Sequence, residues 1–403
     1  MIIELILALV AGCFFGIITG ITPGLHINLV AAILFSLSAF LLQYTNVIVL
    51  GCFIIAMSIT HTFSDFISAT YLGAPSDETA LAVMPAHRLL FKGMGHEAVK
   101  LATLGSFWCL VLTIALIPVL LFAVPWIFSV LKFWIPLILA AAMAFMVIRA
   151  PTADKKFWTF VVTLLSGIFG LVVFEVPNLK DPLLPMLSGL FGISMLLLSL
   201  KEKVNLPVQR TTENLVVKKK DFWKSMSASV FCGSLVSIFP GLGPAQSSAI
   251  AMQFVGKIEE HSYLILIGGI NTVSMVLSLV TMLTIQKARN GSIAIVNELV
   301  QNVDFGIFIT FVLISLIAGG IATFLTLSVS KFFSGIMNKI NYSLLSLGII
   351  SFVALLVFIF SGLIGIFILL ISTSIGLIAN LTEINRSTCM ACLLLPIILL
   401  GIL

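Results

Sequence analysis

The chain is 403 residues long, 60% of them hydrophobic and 9% charged, with a formal net charge of +5. Ordinary soluble domains are about 25% charged, so this composition excludes a soluble globular protein. Apolar stretches of about 17 residues or more recur from end to end, which makes the fold class an all-α polytopic membrane protein.

In chain order, the first apolar segment covers 2–21. Its start, Met1-Ile-Ile-Glu4, has no basic leader region and reads as a retained span rather than a cleaved signal. It runs into Gly16-Ile-Ile-Thr-Gly-Ile-Thr22-Pro23-Gly24-Leu25-His26. There proline removes a backbone donor and glycine admits positive φ, so the helix must break. Segments 24–43 and 46–66 follow, the second carrying His61-Thr62-Phe63-Ser64-Asp65 near its end. A polar stretch from Tyr71 to Lys100 then holds Gly73-Ala74-Pro75-Ser76-Asp77-Glu78-Thr79 and a basic run from Arg88 to Gly93. Segments 98–124, 125–148, 157–176 and 181–200 close the first half.

Lys201 to Lys224 is the long hydrophilic break, with seven Lys/Arg and three acidic residues, and reads as a topogenic charge cluster. The chain therefore divides into a first transmembrane repeat (1–200), a cytoplasmic basic linker (201–224) and a second transmembrane repeat (225–403). The second repeat has segments at 225–239, 241–256, 261–285, 304–330, 341–360, 361–380 and 388–403. It opens with Gly233-Ser-Leu-Val-Ser-Ile-Phe239-Pro240-Gly241-Leu242-Gly243, again with a glycine seven residues before Pro-Gly-Leu. Asn271-Thr272-Val273-Ser274-Met275 then matches His61 to Asp65. The reading is a duplicated unit of two inverted-topology repeats, each with a broken, re-entrant helix hairpin at its Pro-Gly-Leu motif.

Basic residues orient the chain. With the linker inside, Arg88, Lys92, Lys100, Arg149, Lys155, Lys156, Lys257, Lys331, Lys339 and Arg386 fall on the same side, whereas Lys132, Lys180, Lys287 and Arg289 fall outside. Both termini are then extracytoplasmic, in a multi-pass cell-membrane protein.

Enzyme signatures are missing: no H-E-x-x-H pair, no G-x-S-x-G elbow and no P-loop occurs in the sequence. Cys389-Met-Ala-Cys392 has redox spacing with no second pair, and all six cysteines read as packing residues without a cofactor. Paired helix breaks at matching places in two halves point instead to a transport site. Helices restarting after Pro23-Gly24 and Pro240-Gly241 would aim free N–H groups at an anion, carboxylate or phosphate. The substrate candidates are thus Thr22, Pro23, Gly24, Leu25, His26 and Asn28, with Pro240, Gly241, Leu242, Gly243, Gln246 and Ser247. The plainer alternative is a pair of kinked helices with small residues for close packing.

Thr62, Asp65, Asn271, Thr272 and Ser274 are candidates for a coupling-ion site, taking Na⁺ through uncharged oxygens or a proton on Asp65 or His61. An interfacial place for Asp65 is the rival reading. Gly73, Ala74, Pro75, Ser76 and Asp77 read as a gate or, alternatively, as the capped start of a helix.

The two Pro-Gly-Leu motifs, Gly73-Ala74-Pro75 and Met84-Pro85-Ala-His-Arg88…Lys92-Gly93 resemble those of a known family. They look like the large membrane subunit of the tripartite tricarboxylate transporters, in its shorter archaeal-type form, over essentially the whole chain. The resemblance implies an ion-coupled permease for citrate or another carboxylate, working with a small membrane subunit and an extracytoplasmic binding protein. It makes the Pro-Gly-Leu residues the central helix breaks and Gly73 to Pro75 part of the permeation region. His26 departs from it, standing where the first motif usually has a second glycine.

The expected function is secondary-active transport of a di- or tricarboxylate, coupled to Na⁺ or H⁺, by alternating access around the paired half-helices. The alternative is a translocase for a lipid-linked phosphate such as polyprenyl phosphate. The expected partners are membrane lipid, the anionic substrate, the two further subunits and a second copy in a homodimer, with no nucleic acid.

Overall fold

A computed structural model describes residues 2–22, 27–73, 79–131, 133–177, 179, 182–201, 207–211, 215, 217–238, 244, 247–248, 251–252, 259–286, 288, 290–337 and 342–402. Among them every regular element is helical. In the first half these are α1 (Ile2–Ile21), α2 (Ile27–Ser36), α3 (Ser38–Leu41), α4 (Val47–Ile67), α5 (Val83–Leu90), α6 (Gly95–Leu131), α7 (Ile135–Ile148), α8 (Ala153–Phe174), α9 (Leu183–Leu187) and α10 (Ser194–Lys201). The second half holds α11 (Lys219–Ile238), α12 (Glu260–Ile285), α13 (Gly291–Val300), α14 (Phe305–Met337), α15 (Tyr342–Leu381) and α16 (Ala391–Ile402). Seven of the described helices are long and apolar enough to cross a membrane: α1, α4, α6, α8, α12, α14 and α15.

Local chemistry sets the ends. Asn46 Oδ1 accepts from Val49 N at 2.9 Å and starts α4, as Thr152 Oγ1 accepts from Lys155 N at 3.2 Å and starts α8. α4 runs on into one π-helical turn, Ser68–Leu72, and stops at Gly73, whose φ of +61° suits glycine. At 37 residues α6 is about 55 Å long, well beyond a hydrocarbon core of about 30 Å. The expected boundary at 124/125 is therefore corrected: Pro118 and Pro125 lie inside α6, and the chain turns only before Ile135. Membrane helices tolerate such prolines because neighbouring groups take up the freed carbonyls. α15, at 40 residues, carries a true break at Gly362 (φ 64°, ψ −158°), next to the expected boundary at 360/361.

Burial separates the centre from the lipid-facing rim. The most apolar window of α12 is 100% buried and that of α4 83%, against 28% in α6 and 22% in α15. Two helices so covered serve the interior, one from each half. Each packs on the first helix of its own half, α4 on α1 and α12 on α11. Each also packs on the long helix of the other half, α4 on α14 and α12 on α6.

Glycines permit these contacts. A Cβ on Gly12 would lie 2.6 Å from Phe53 O, and one on Gly16 the same distance from Met57 O. Gly12, Gly16 and Gly20, four apart, make α1 a small-residue face for α4. In the second half Gly233 meets Val273 and Ile270, the residues offset by 210 from Phe63 and Thr60. Gly16 and Gly233 thus share one matched neighbour, Thr60 and Ile270.

A candidate ion-coupling seam between the halves

Where α4 crosses α12, the polar residues of the two matched motifs meet. Asn271 Nδ2 donates to Asp65 Oδ2 at 3.3 Å, and Thr62 Oγ1 lies 3.4 Å from Thr272 Oγ1. Thr62 and Thr272 hold the same position in the two matched sequence motifs. Asp65 and Asn271 are each 1% exposed, Thr62 2% and Thr272 0%. The Asp65 carboxylate sits between the two most covered helices.

Thr62 Oγ1 is 2.8 Å from Ile59 O and Thr272 Oγ1 is 3.3 Å from Gly268 O, so each hydroxyl has a carbonyl of its own helix to donate to, besides the other hydroxyl. Each hydroxyl has one proton and two lone pairs, so both oxygens keep acceptor capacity at the crossing. With the Asp65 carboxylate and the Asn271 amide this is an oxygen-rich setting suited to a hard cation. Ser274 Oγ likewise donates back along α12, to Asn271 O at 2.8 Å.

Thr19 extends the seam and was not among the residues the motifs singled out. His61 Nδ1 lies 3.0 Å from Thr19 Oγ1, while Thr19 Oγ1 donates to Gly16 O at 3.1 Å. The signal in the sequence is weak: Thr19 follows Gly16 by three and so shares the glycine face of α1. Ser64 Oγ also donates to Gly16 O, at 3.0 Å, and Ser237 Oγ to Ser274 O at 3.0 Å, at the matching place in the second half.

The helix-break candidates divide. Pro23, Gly24, Leu25, His26, Pro240, Gly241, Leu242, Gly243 and Gln246 lie outside the described residues, as do Ala74, Pro75, Ser76 and Asp77. α1 ends at Ile21 and α2 begins at Ile27, so the chain is helical up to and beyond the first motif. Thr22 Oγ1 donates to Ile18 O at 2.7 Å. Asn28 Oδ1 accepts from Ser292 N at 3.0 Å and, with Asn290 Oδ1, caps α13. It thereby serves the packing of one half against the other. Ser247 Oγ donates to Cys232 O at 2.7 Å, which holds the segment beyond the second motif against α11. A cavity of about 380 Å³ separates α1 from α2 and α3, lined by Glu4, Leu7, Ala8, Ala11, Leu34 and Leu41 among others. It is apolar and lies toward the start of α1, away from the seam.

A second polar region holds one end of the central helices. Tyr71 OH is 2.7 Å from Ser334 Oγ and 3.2 Å from Ser330 Oγ, and His96 Nδ1 is 3.0 Å from Ser330 Oγ. Beside it, Gln209 accepts from Gly95 N at 3.1 Å and donates to Leu90 O at 3.0 Å, capping α6 and α5 at once. Arg210 pairs with Glu97 at 3.0 Å. Arg88 and Lys92 pair with Glu260 at 3.1 and 3.5 Å, and Lys218 with Glu259 at 3.3 Å. Nothing in the sequence ties residue 209 to residues 90 and 95. Among the described residues no group of three His, Cys, Asp or Glu could hold a metal ion.

A family model described as the tripartite tricarboxylate transporter TctA family matches residues 6–391. The uncharacterized protein MJ1079 of Methanocaldococcus jannaschii is 31% identical over 409 residues, covering 98% of each chain. No solved structure matches.

Proposed function

The chain belongs to the tripartite tricarboxylate transporter TctA family, and on that membership we propose that it is the permease for a di- or tricarboxylate such as citrate. Uptake is coupled to Na⁺ held by Asp65, Asn271, Thr62 and Thr272. The observation that carries the coupling is the seam itself: a buried carboxylate, an amide and two facing hydroxyl oxygens, contributed by both halves. Ionisable groups at membrane depth are costly and are retained for ion or substrate pathways.

The anion binds at the two Pro-Gly-Leu motifs, where a helix restart would offer backbone N–H groups and a dipole that favour carboxylates. In this reading the repeats are inverted, the basic linker is cytoplasmic and both termini are outside. The two halves then exchange access by rocking about the α4–α12 crossing. A small membrane subunit and an extracytoplasmic binding protein complete the system. No feature of the described residues favours the lipid-linked phosphate.

The test is ligand-dependent thermal stabilisation of the purified protein by di- and tricarboxylates and by polyprenyl phosphates, each with and without Na⁺. The expected result is a carboxylate shift that requires Na⁺. A shift with the lipid phosphate alone would overturn the reading.

A further inference from the structure

We propose that Ser58 marks a second cation position beside the one assigned to Asp65, an inference that rests on the cation site proposed above. Ser58 lies in α4 and is 0% exposed, and among the described residues its Oγ has no hydrogen-bond partner. That sets it apart from its neighbours. Ser64 and Ser68 on α4, with Ser274, Ser278 and Thr281 on α12, each have a carbonyl of their own helix to donate to. Burying a hydroxyl without a partner is unfavourable, so such a group in a native interior points to something that completes it, such as an ion.

Helix geometry gives the hydroxyl its direction. At about 100° per residue, Ser58 lies about 40° from Thr62 and about 20° from Asp65 around the α4 axis. It therefore falls between them, on the stripe of α4 whose Thr62 and Asp65 meet Thr272 and Asn271 of α12. α1 takes the opposite side of α4: a Cβ on Gly16 would meet Met57 O and Thr60, and one on Gly20 would meet Ser64.

Distance along the axis separates two positions. Ser58 stands about 6 Å from Thr62 and about 10 Å from Asp65. Oxygen ligands lie about 2–2.6 Å from a hard cation, too short a reach for one ion to touch both ends. Side chains four apart have Cβ atoms about 5–6 Å apart, so Ser58 and Thr62 can share an ion. The second position is thus Ser58 Oγ with the facing oxygens of Thr62 and Thr272, and the first is anchored by Asp65 and Asn271. The threonine pair is common to both. Lacking a carboxylate, the second position is the weaker and fills at the higher Na⁺ concentration. Two cations also offset the two negative charges of a dicarboxylate, which would otherwise cross the membrane field uncompensated.

The experiment is equilibrium binding of radioactive Na⁺ to the purified full chain, taken to saturation in NaCl with choline chloride holding the ionic strength. The native chain is expected to bind two Na⁺ and Ser58→Ala one, with the weaker phase lost. Ser58→Cys keeps the bulk but replaces the hard oxygen by a soft sulfur, and also binds one. Asp65→Asn reports on the first position and is expected to weaken the tighter phase. In choline chloride alone Ser58→Ala melts no lower than the native chain, because it deletes an unpaired polar group. One Na⁺ in the native chain, weakened by Asp65→Asn, overturns the inference and leaves the cation site standing. Two Na⁺ in either Ser58 variant overturn it as well, as does a lower melting temperature of Ser58→Ala in choline chloride. No Na⁺ binding by the native chain overturns the cation site, and the inference with it.

Discussion

Replacing Asn271 by alanine removes the donor that meets Asp65 Oδ2 at 3.3 Å in a site where both residues are 1% exposed. Hydrogen bonds to charged groups contribute about 1.5–3 kcal/mol, and a buried carboxylate that loses one cannot recover it from water. In the proposed function Asn271 also helps to hold the cation, so the substitution deletes a cation ligand. A loss of about 1.5–3 kcal/mol corresponds to a rise of about 10–150-fold in the Na⁺ concentration needed for half-maximal uptake. The assay is Na⁺-dependent carboxylate uptake in proteoliposomes, with Asp65→Asn and the double variant completing a mutant cycle. A coupling energy of about 1.5 kcal/mol or more between the two sites is expected of residues in one network. An unchanged Na⁺ half-saturation in Asn271→Ala, with normal insertion and normal maximal rate, would refute the reasoning.

Three further outcomes are expected. Gly24→Leu and Gly241→Leu should each abolish uptake without loss of membrane insertion, because a side chain there blocks backbone approach to the anion; full uptake in both vesicle preparations removes the half-helix site. Gly362→Ala should cost about 1–3 kcal/mol, since φ 64° with ψ −158° is a glycine-only conformation. The control Gly348→Ala, at a position where a Cβ meets nothing within 4 Å, should leave the melting temperature near its native value; equal melting shifts in the two would contradict this. Gln209→Ala should uncap both α5 and α6, and faster amide exchange around Leu90 and Gly95 is the readout; unchanged exchange would show that the cap contributes nothing.

The sequence by itself determined the class, because hydrocarbon imposes a one-dimensional code. Long apolar runs must be helices, and Pro-Gly inside them must be a break. The small-residue faces of α1 (Gly12, Gly16, Gly20) and α11 (Ser225, Ser229, Gly233, Ser237) are equally legible, since close helix contact in lipid needs small residues at intervals of four. The same code misplaced the end of α6. Pro125 reads as a stop, but inside a membrane neighbouring groups can absorb the freed carbonyl, and the helix continues to Leu131. Tertiary structure alone decided which polar residues meet. Asp65 and Asn271 are 206 positions apart, and Thr62 and Thr272 are 210 apart. Nothing local distinguishes a carboxylate that faces headgroups from one enclosed by two central helices. Asn28 shows the same from the other side: next to the Pro-Gly-Leu motif it reads as a ligand group, and only the fold shows that its oxygen caps α13. Sequence position gives a polar side chain its chemistry and its helix face. Its partner is set by how the two halves pack, because the cost of burying an unpaired polar group is met only by whatever group the opposite half supplies.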